Sequence, residues 1–137
     1  SSLLTASALC NKFSVITVLK SVASIIEENA KIYGVADKIA SVRAVDIPVH
    51  ELHTDNEKTA KALFKEGKKA LDEDGAEVLV LGCTGMTGMA ERLSHELSVP
   101  VLDPIPTAVK LAEMLVALGL TQSKLAFPVP PEKKRYH

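Results

Sequence analysis

The sequence predicts an α/β fold, a small parallel sheet with helices on both faces. Three observations carry that reading. Short apolar, β-branched runs alternate with stretches of helical periodicity, the mark of repeated βαβ units. The run Val78-Leu79-Val80-Leu81 shows no polar alternation, as expected of a strand buried on both faces. Gly and Pro fall between the segments, where helices must stop and strands must turn.

The elements follow in order. Residues 1–10 read as the end of a helix, and 13–19 as a first strand. Ser21 is placed to cap a helix whose Val22, Ile25, Ile26 and Tyr33 form one face, closed by Gly34 at a position that needs positive φ. Residues 39–45 form a second, half-exposed strand, and Pro48 breaks the pattern after it. Thr54-Asp55-Asn56-Glu57 matches a capping box, in which hydroxyl and carboxylate each satisfy a backbone N–H. The helix behind it carries Ala60, Leu63, Phe64, Gly67, Ala70 and Leu71 at helical spacing. Residues 77–82 are the third strand. Residues 86–97 form a helix with Met89, Ala90, Leu93 and Leu97 inward, and 99–102 a short fourth strand. Pro104 and Pro106 open a last helix at no hydrogen-bond cost, and Gly119 ends it. Val109, Leu111, Ala112, Met114, Leu115, Val116 and Leu118 cover most of that helix's circumference, a pattern that calls for burial on more than one side. The tail, 128–137, is proline-rich and then basic, and reads as a solvated terminus.

A chain of 137 residues suits one domain. With 47% hydrophobic residues, 24% charged residues and a net charge of −1, it can build one core and has no basic excess to attract nucleic acid. Aromatics at 4% are too few for a base-stacking platform. No apolar run approaches the roughly 20 residues that span a bilayer, and no signal peptide opens the sequence. Two cysteines far apart, without a secretion signal, read as free thiols in a reducing cytoplasm. His50 and His53 lie close together, but no further pair completes a metal-ligand pattern, so they read as loop residues. Gly82-Cys83-Thr84-Gly85 lacks the Gly-Lys-Ser/Thr ending of a P-loop, and no Ser sits in a nucleophile elbow.

Cys83 is the residue most suggestive of chemistry. It ends the third strand and precedes Thr84-Gly85-Met86, a tight turn read as leading into a helix near Met86. In open α/β sheets ligands bind at that edge. A helix N-terminus there would stabilise a thiolate and hold a substrate anion beside it. Position alone leaves two readings open, a reactive thiol or a small packed apolar side chain.

The stretch from Gly75 to Met86 closely resembles the second cysteine motif of the Asp/Glu/hydantoin racemase superfamily. Lys12-Phe13-Ser14-Val15-Ile16-Thr17 and Ser41-Val42-Arg43 with Asp46-Ile47-Pro48-Val49 resemble the same superfamily, in the same order. So do Val99-Pro100-Val101-Leu102-Asp103-Pro104 and Ala108-Val109-Lys110-Leu111-Ala112-Glu113. Gly85-Met86 after Cys83-Thr84 resembles the hydantoin/allantoin racemase branch, where glutamate racemases usually carry His-Tyr. The match covers only the C-terminal part of a family member, up to about Lys124.

The resemblance implies one lobe of a two-lobed racemase-like fold with the active site between lobes and one cysteine from each. Residues 1–105 would be the lobe carrying the second cysteine. Residues 106–137 would be a return helix and tail packing on the N-terminal lobe or a partner subunit. It implies racemisation of a 5-substituted hydantoin or allantoin without metal or organic cofactor: one thiolate removes the Cα proton and the opposite thiol returns one. Cys83 is then a catalytic thiol. Thr84 and Gly85 offer backbone N–H groups to the substrate, with Gly85 permitting close approach. Thr17 lies at the same edge, as a substrate hydroxyl donor or an ordinary strand-end cap. Cys10 matches no first-cysteine motif and lies at the opposite edge, so it reads as a packing residue. Arg43 reads as an ion-pair partner rather than an anion site, and Asp103 as a helix cap or a substrate contact. A cofactor-free decarboxylase, a cis-trans isomerase of the same superfamily and an inactive lobe remain as alternatives. The expected partners are a small-molecule substrate and, through the apolar last helix, further copies of the chain in a homo-oligomer.

Overall fold

A computed structural model of the protein describes residues 1–131. The basic end of the tail, from residue 132, lies outside the described residues, so its reading as a solvated terminus extends no further than the exposed Pro128–Pro131 segment. In chain order the elements are α1 (Ser2–Leu9), β1 (Phe13–Thr17), α2 (Ala23–Ile32), β2 (Ile39–Ala44), α3 (Asn56–Asp72), β3 (Val78–Leu81), α4 (Ala90–Leu97), β4 (Val101–Leu102) and α5 (Pro104–Ala117). The four strands form one sheet in the order β2-β1-β3-β4, and every pairing is parallel.

Side-chain alternation divides the core into two layers. Ile16, Leu79 and Leu81 face α3 and α4, meeting Leu63, Ala70, Ala90 and Leu93. Phe13, Val15, Val78 and Val80 face the other way, toward Ala6 of α1 and Ala30 of α2. The two central strands are thus buried at every residue on both faces, β3 wholly apolar and β1 carrying only Ser14 and Thr17 as polar residues. Edge strand β2 is half-buried throughout. From β1 the chain crosses to β2 on one side. From β3 it crosses to β4 on the other. The boundary between β1 and β3 is therefore the point where strand order reverses, and in such sheets a crevice opens there beyond the carboxyl ends of the strands.

Four local expectations are corrected. Ser21 does not cap α2. A tight turn over Lys20–Val22 precedes the helix, with the Val22 N–H donating to the Leu19 carbonyl and that of Ala23 to the Lys20 carbonyl, so no side-chain cap is required. Ile25 and Tyr33 are exposed, because α2 covers an edge strand with only a narrow stripe centred on Ile26 and Ala30. The cap of α3 is Asp55 rather than Thr54: its carboxylate accepts from the Lys58 N–H at 2.9 Å. Glu57 is then one position too early to close a capping box and pairs with Arg92 of α4 instead. The helix after Cys83 begins at Ala90, not near Met86, because a turn over Thr84–Met86 and Gly88 at φ +88° intervene.

Helix α5 carries no fully buried residue. Val109, Val116 and Leu118 face outward, so the apolar surface noted in the sequence is left largely uncovered beside α1. Among the described residues no helix is long and apolar enough to cross a membrane.

Away from the sheet's carboxyl edge, β2 is tied to the end of α3 by a charged cluster. Arg43 grips Asp74 with two hydrogen bonds, from Nε at 2.6 Å and from a terminal nitrogen at 2.8 Å, and also reaches Glu73 at 2.9 Å and Glu66 at 3.5 Å. Arg43 is thus an ion-pair residue, as the sequence indicated. Ser41 donates to the same carboxylate and meets the buried Ser14 hydroxyl at 2.8 Å. A register shift between Phe13 and Ser14 places Ser41 on this face. The Arg43 guanidinium holds the Asp74 carboxyl below the ordinary aspartate range. An unfolded chain therefore binds more protons than the folded one between the two pKa values, so this contribution is complete above the unfolded value and lost as pH falls through the folded one. Asp74→Asn is expected to flatten the loss of stability at acidic pH while lowering stability at pH 7 by about 1.5–3 kcal/mol, as measured by urea unfolding across the acidic range.

Candidate active site at the carboxyl edge of the sheet

Strand β3 ends at Leu81, and its last rung is the Gly82 N–H donating to the Ile16 carbonyl at 2.8 Å. One strand over, the Val45 N–H donates to the Thr17 carbonyl at 3.0 Å. These bonds align the ends of β2, β1 and β3, so Asp46, Thr17 and Cys83 emerge along one edge. Asp46 turns the chain away from β2 in the left-handed region (φ +53°), which Asp tolerates better than most residues, and its carboxylate lies 3.5 Å from Lys20.

Gly82 is required by the closeness of β1. A Cβ there would lie 2.9 Å from Val15 Cγ1, 3.2 Å from the Ile16 carbonyl oxygen and 3.3 Å from Thr17 Cβ. None of these atoms is the free end of a flexible chain, so none can yield cheaply. Cys83 follows in extended conformation and is half-buried, packed against the α3/α4 core layer. Its thiol is free, as is that of Cys10.

The turn over Thr84–Met86 replaces the expected helix N-terminus, so the dipole of α4 does not act at Cys83. What remains is local. The Met86 N–H bonds to the Cys83 carbonyl at 3.0 Å and the Thr87 N–H to the Thr84 carbonyl at 3.1 Å. Among the described residues the Thr84 and Gly85 N–H groups have no acceptor, and both sit beside the thiol. A Cβ on Gly85 would lie 3.6 Å from Cys83 Sγ, 3.5 Å from Val49 Cγ1 and 2.9 Å from Leu52 Cδ1. Part of the need for glycine at 85 is therefore the close packing of Leu52 from the loop after β2, a contact that local sequence does not signal.

Thr17 is fully buried, and its hydroxyl has no hydrogen-bond partner. It does not cap the following turn. An unpaired buried hydroxyl costs on the order of 1–3 kcal/mol, so such a group stands out against an otherwise paired interior. Thr17, Cys83, Thr84 and Gly85 thus lie at the carboxyl ends of β1 and β3, with Thr17 on the Val15 face of the sheet and Cys83 on the Leu81 face. Arg43 lies elsewhere, with its charges spoken for.

Asp103 does more than the sequence suggests. It caps α5, accepting from the Ile105 N–H at 3.0 Å. The same carboxylate accepts from the Thr87 hydroxyl at 3.1 Å and from the Gly88 N–H at 2.7 Å. Two concavities flank this loop. One, of about 240 Å³, is lined by Val15, Tyr33, Gly82, Thr84 and Pro104 among others. The other, of about 260 Å³, is lined by residues including His53, Asn56, Thr87, Gly88 and Arg92. Both terminal nitrogens of Arg92 are on Glu57, and its Nε is on Glu96.

Cys10 sits at the far edge. It follows α1 and precedes β1, and its thiol donates to the Ala6 carbonyl at 3.2 Å. Burial, helped by the nearby Glu77 charge, pushes that thiol's pKa up. The five residues of β1 at ~3.3 Å each separate it from Thr17 by roughly 15 Å or more. Among the described residues no three His, Cys, Asp or Glu side chains converge as a ligand set for a metal, and His50 and His53 are exposed.

Comparison with known proteins places these features in context. Residues 1–112 match the family model described as Asp/Glu/Hydantoin racemase. The chain is 40% identical over 136 residues to a hydantoin racemase of Pseudomonas sp. (strain NS671), covering 99% of this chain and 55% of that protein. It is 42% identical over 120 residues to a hydantoin racemase of Rhizobium meliloti, covering 88% of this chain and 50% of that protein. The crystal structure of allantoin racemase from Pseudomonas fluorescens superposes with a TM-score of 0.90 at 38% identity, over 99% of this chain and 58% of that one. The chain thus spans about half the length of the relatives it matches.

Gly82→Ala is expected to cost about 1–3 kcal/mol, read as a lowered urea midpoint, because its new Cβ meets only backbone and β-branched atoms. An unchanged midpoint would show that β1 and β3 can separate without penalty.

Proposed function

Because the chain belongs to the Asp/Glu/hydantoin racemase family, we propose that it forms the Cys83-bearing part of a cofactor-independent racemase acting on a 5-substituted hydantoin or allantoin. The observation that carries the reading is the seat of Cys83 at the switch point. Its thiol is followed by the unengaged N–H groups of Thr84 and Gly85, and the unpaired hydroxyl of Thr17 ends the adjoining strand. The relatives' names supply the substrate class.

The Cα hydrogen of a hydantoin is flanked by a carbonyl, so removing it leaves an enolate with charge on that oxygen. Cys83 as thiolate takes the proton and becomes a thiol. The Thr84 and Gly85 N–H groups donate to the developing oxyanion, where fixed donors are worth most. Thr17 offers its hydroxyl to a polar atom of the ring. A second thiol on the opposite face then gives up its proton to carbon, and the reverse passage returns the other enantiomer. Cys10 cannot serve as that second thiol from the other end of β1. We infer that it comes from protein outside these 137 residues, that residues 1–105 form one lobe of a two-lobed enzyme, and that 106–137 are a return helix and tail packing on the other lobe or a partner subunit. The outward apolar face of α5 is then the surface that meets the other lobe or a partner subunit. Both thiols must stay reduced, which suits a reducing compartment such as the cytoplasm.

In the full-length protein, each enantiomer of a 5-substituted hydantoin in D2O is expected to exchange its Cα hydrogen and invert, as followed by NMR. Cys83→Ser is expected to reduce this at least about 10³-fold with the fold intact, a loss of the size seen when a group acting in the transition state is removed. Release of CO2 or a double-bond change without exchange would replace racemisation with the decarboxylase or isomerase reaction. A second variant separates stability from function at Thr17. Thr17→Val deletes an unpaired buried hydroxyl and is expected to leave stability equal or higher by about 1 kcal/mol in thermal unfolding. It is also expected to raise KM, and an unaltered KM would remove Thr17 from the substrate contacts.

A further inference from the structure

We propose that Asp103 is a positioning residue: its carboxylate clamps the loop that follows Cys83 and so sets where the Thr84 and Gly85 N–H groups point. The inference rests on the reading of Cys83 as the working thiol. Its basis is the convergence of three donors on one side chain from two separate parts of the chain. Ile105 N–H belongs to α5, at 3.0 Å from Oδ1. Thr87 Oγ1 and Gly88 N–H belong to the loop, at 3.1 Å from Oδ1 and 2.7 Å from Oδ2. A helix cap requires only the first of these. The other two bind the loop to the end of β4.

The loop needs such a tether. Between the turn at Thr84–Met86 and the start of α4 at Ala90, it passes through Gly88 at φ +88°, a glycine with nothing within 4 Å of where a Cβ would stand. It therefore has little packing of its own at that point. Its other anchor is Met86, fully buried in the α3/α4 core layer, with Leu52 pressed against Gly85. Met86 and Asp103 hold the loop at two points, and Thr84 and Gly85 are fixed upstream of both. Displacement of such donors by a fraction of an ångström is enough to weaken their bonds to a developing oxyanion.

Two variants separate clamp from cap, both made in the full-length protein. Asp103→Asn keeps a good N-cap oxygen, but its amide NH2 presents donors where a carboxylate oxygen accepted, so it cannot serve all three groups. Asp103→Ser also caps, and its side chain is too short to reach Thr87 and Gly88 as well. Both are expected to retain α5. Both are expected to speed amide exchange at Gly88 at least about tenfold and to lower kcat about 10- to 100-fold with KM within about threefold of the parent. A helix cap alone would not produce that split. The proposal is overturned if Asp103→Ser exchanges at Gly88 and turns over like the parent, since Asp103 is then only a cap. It is equally overturned if Gly88 exchange rises while kcat stands still. If the parent protein racemises no hydantoin, the reading of the reaction fails by itself. The amide resonances of Thr84 and Gly85 then decide the clamp: movement in both variants supports it and constancy overturns it.

Discussion

The Gly82 N–H to Ile16 carbonyl bond is the last rung between β3 and β1, and the arrangement at the sheet's carboxyl edge depends on it. It forms only because position 82 has no side chain, so the strand ends lie within reach of each other where any Cβ would press on Val15, Thr17 and the Ile16 carbonyl. Once the two strands are locked, the next residue on one chain and the last on the other share an edge. Cys83 and Thr17 then mark the ends of adjoining strands although 66 positions apart in sequence. The crossovers then leave in opposite directions, to β2 on one side and β4 on the other, so nothing regular lies above the boundary between β1 and β3. The crevice is a consequence of connectivity, and its chemistry a consequence of which residues end the strands.

Around that edge, burial and polarity are divided by distance from the crevice. The middle of the sheet is apolar on both faces and satisfies its polar groups through strand pairing. Where β1 meets the half-buried edge strand β2, Ser14, Ser41, Asp74 and Arg43 form a paired network, so each of these side chains has a partner. At the α1 end, Lys38 donates to the Ser7 and Cys10 carbonyls, which the helix terminus would otherwise leave open. Against this background, the unpaired hydroxyl of Thr17 is an exception among the described residues.

Much of the fold was legible in the sequence because its signals are local. The runs in β1 and β3, the positive φ of Gly34 and Gly119 and the prolines opening α5 each follow from the residues at the spot. The errors were also local. At Ser21 and at the start of α4 a short turn stands where the sequence places the helix start, and such turns leave little trace in composition, whereas at α3 the cap shifts by one residue to Asp55. The candidate-site residues Cys83, Thr84, Gly85 and Thr17 are singled out by strand ends and the family resemblance. The electrostatic expectation for Cys83 was not met, since it required an α-helix that begins seven residues later, at Ala90.

By itself, then, the sequence determined the α/β class, the strand and helix order, and the presence of a cysteine at the end of a buried strand. Hydrophobic periodicity and backbone restrictions act over a few residues and are written in the chain directly. The tertiary structure alone decided which strand ends meet, that Thr17 lacks a partner, that Leu52 presses on Gly85, and that Asp103 holds Thr87 and Gly88 as well as its own helix. Those facts depend on contacts between residues far apart in sequence. Such contacts exist only after the strands have paired and the crossovers have chosen their sides.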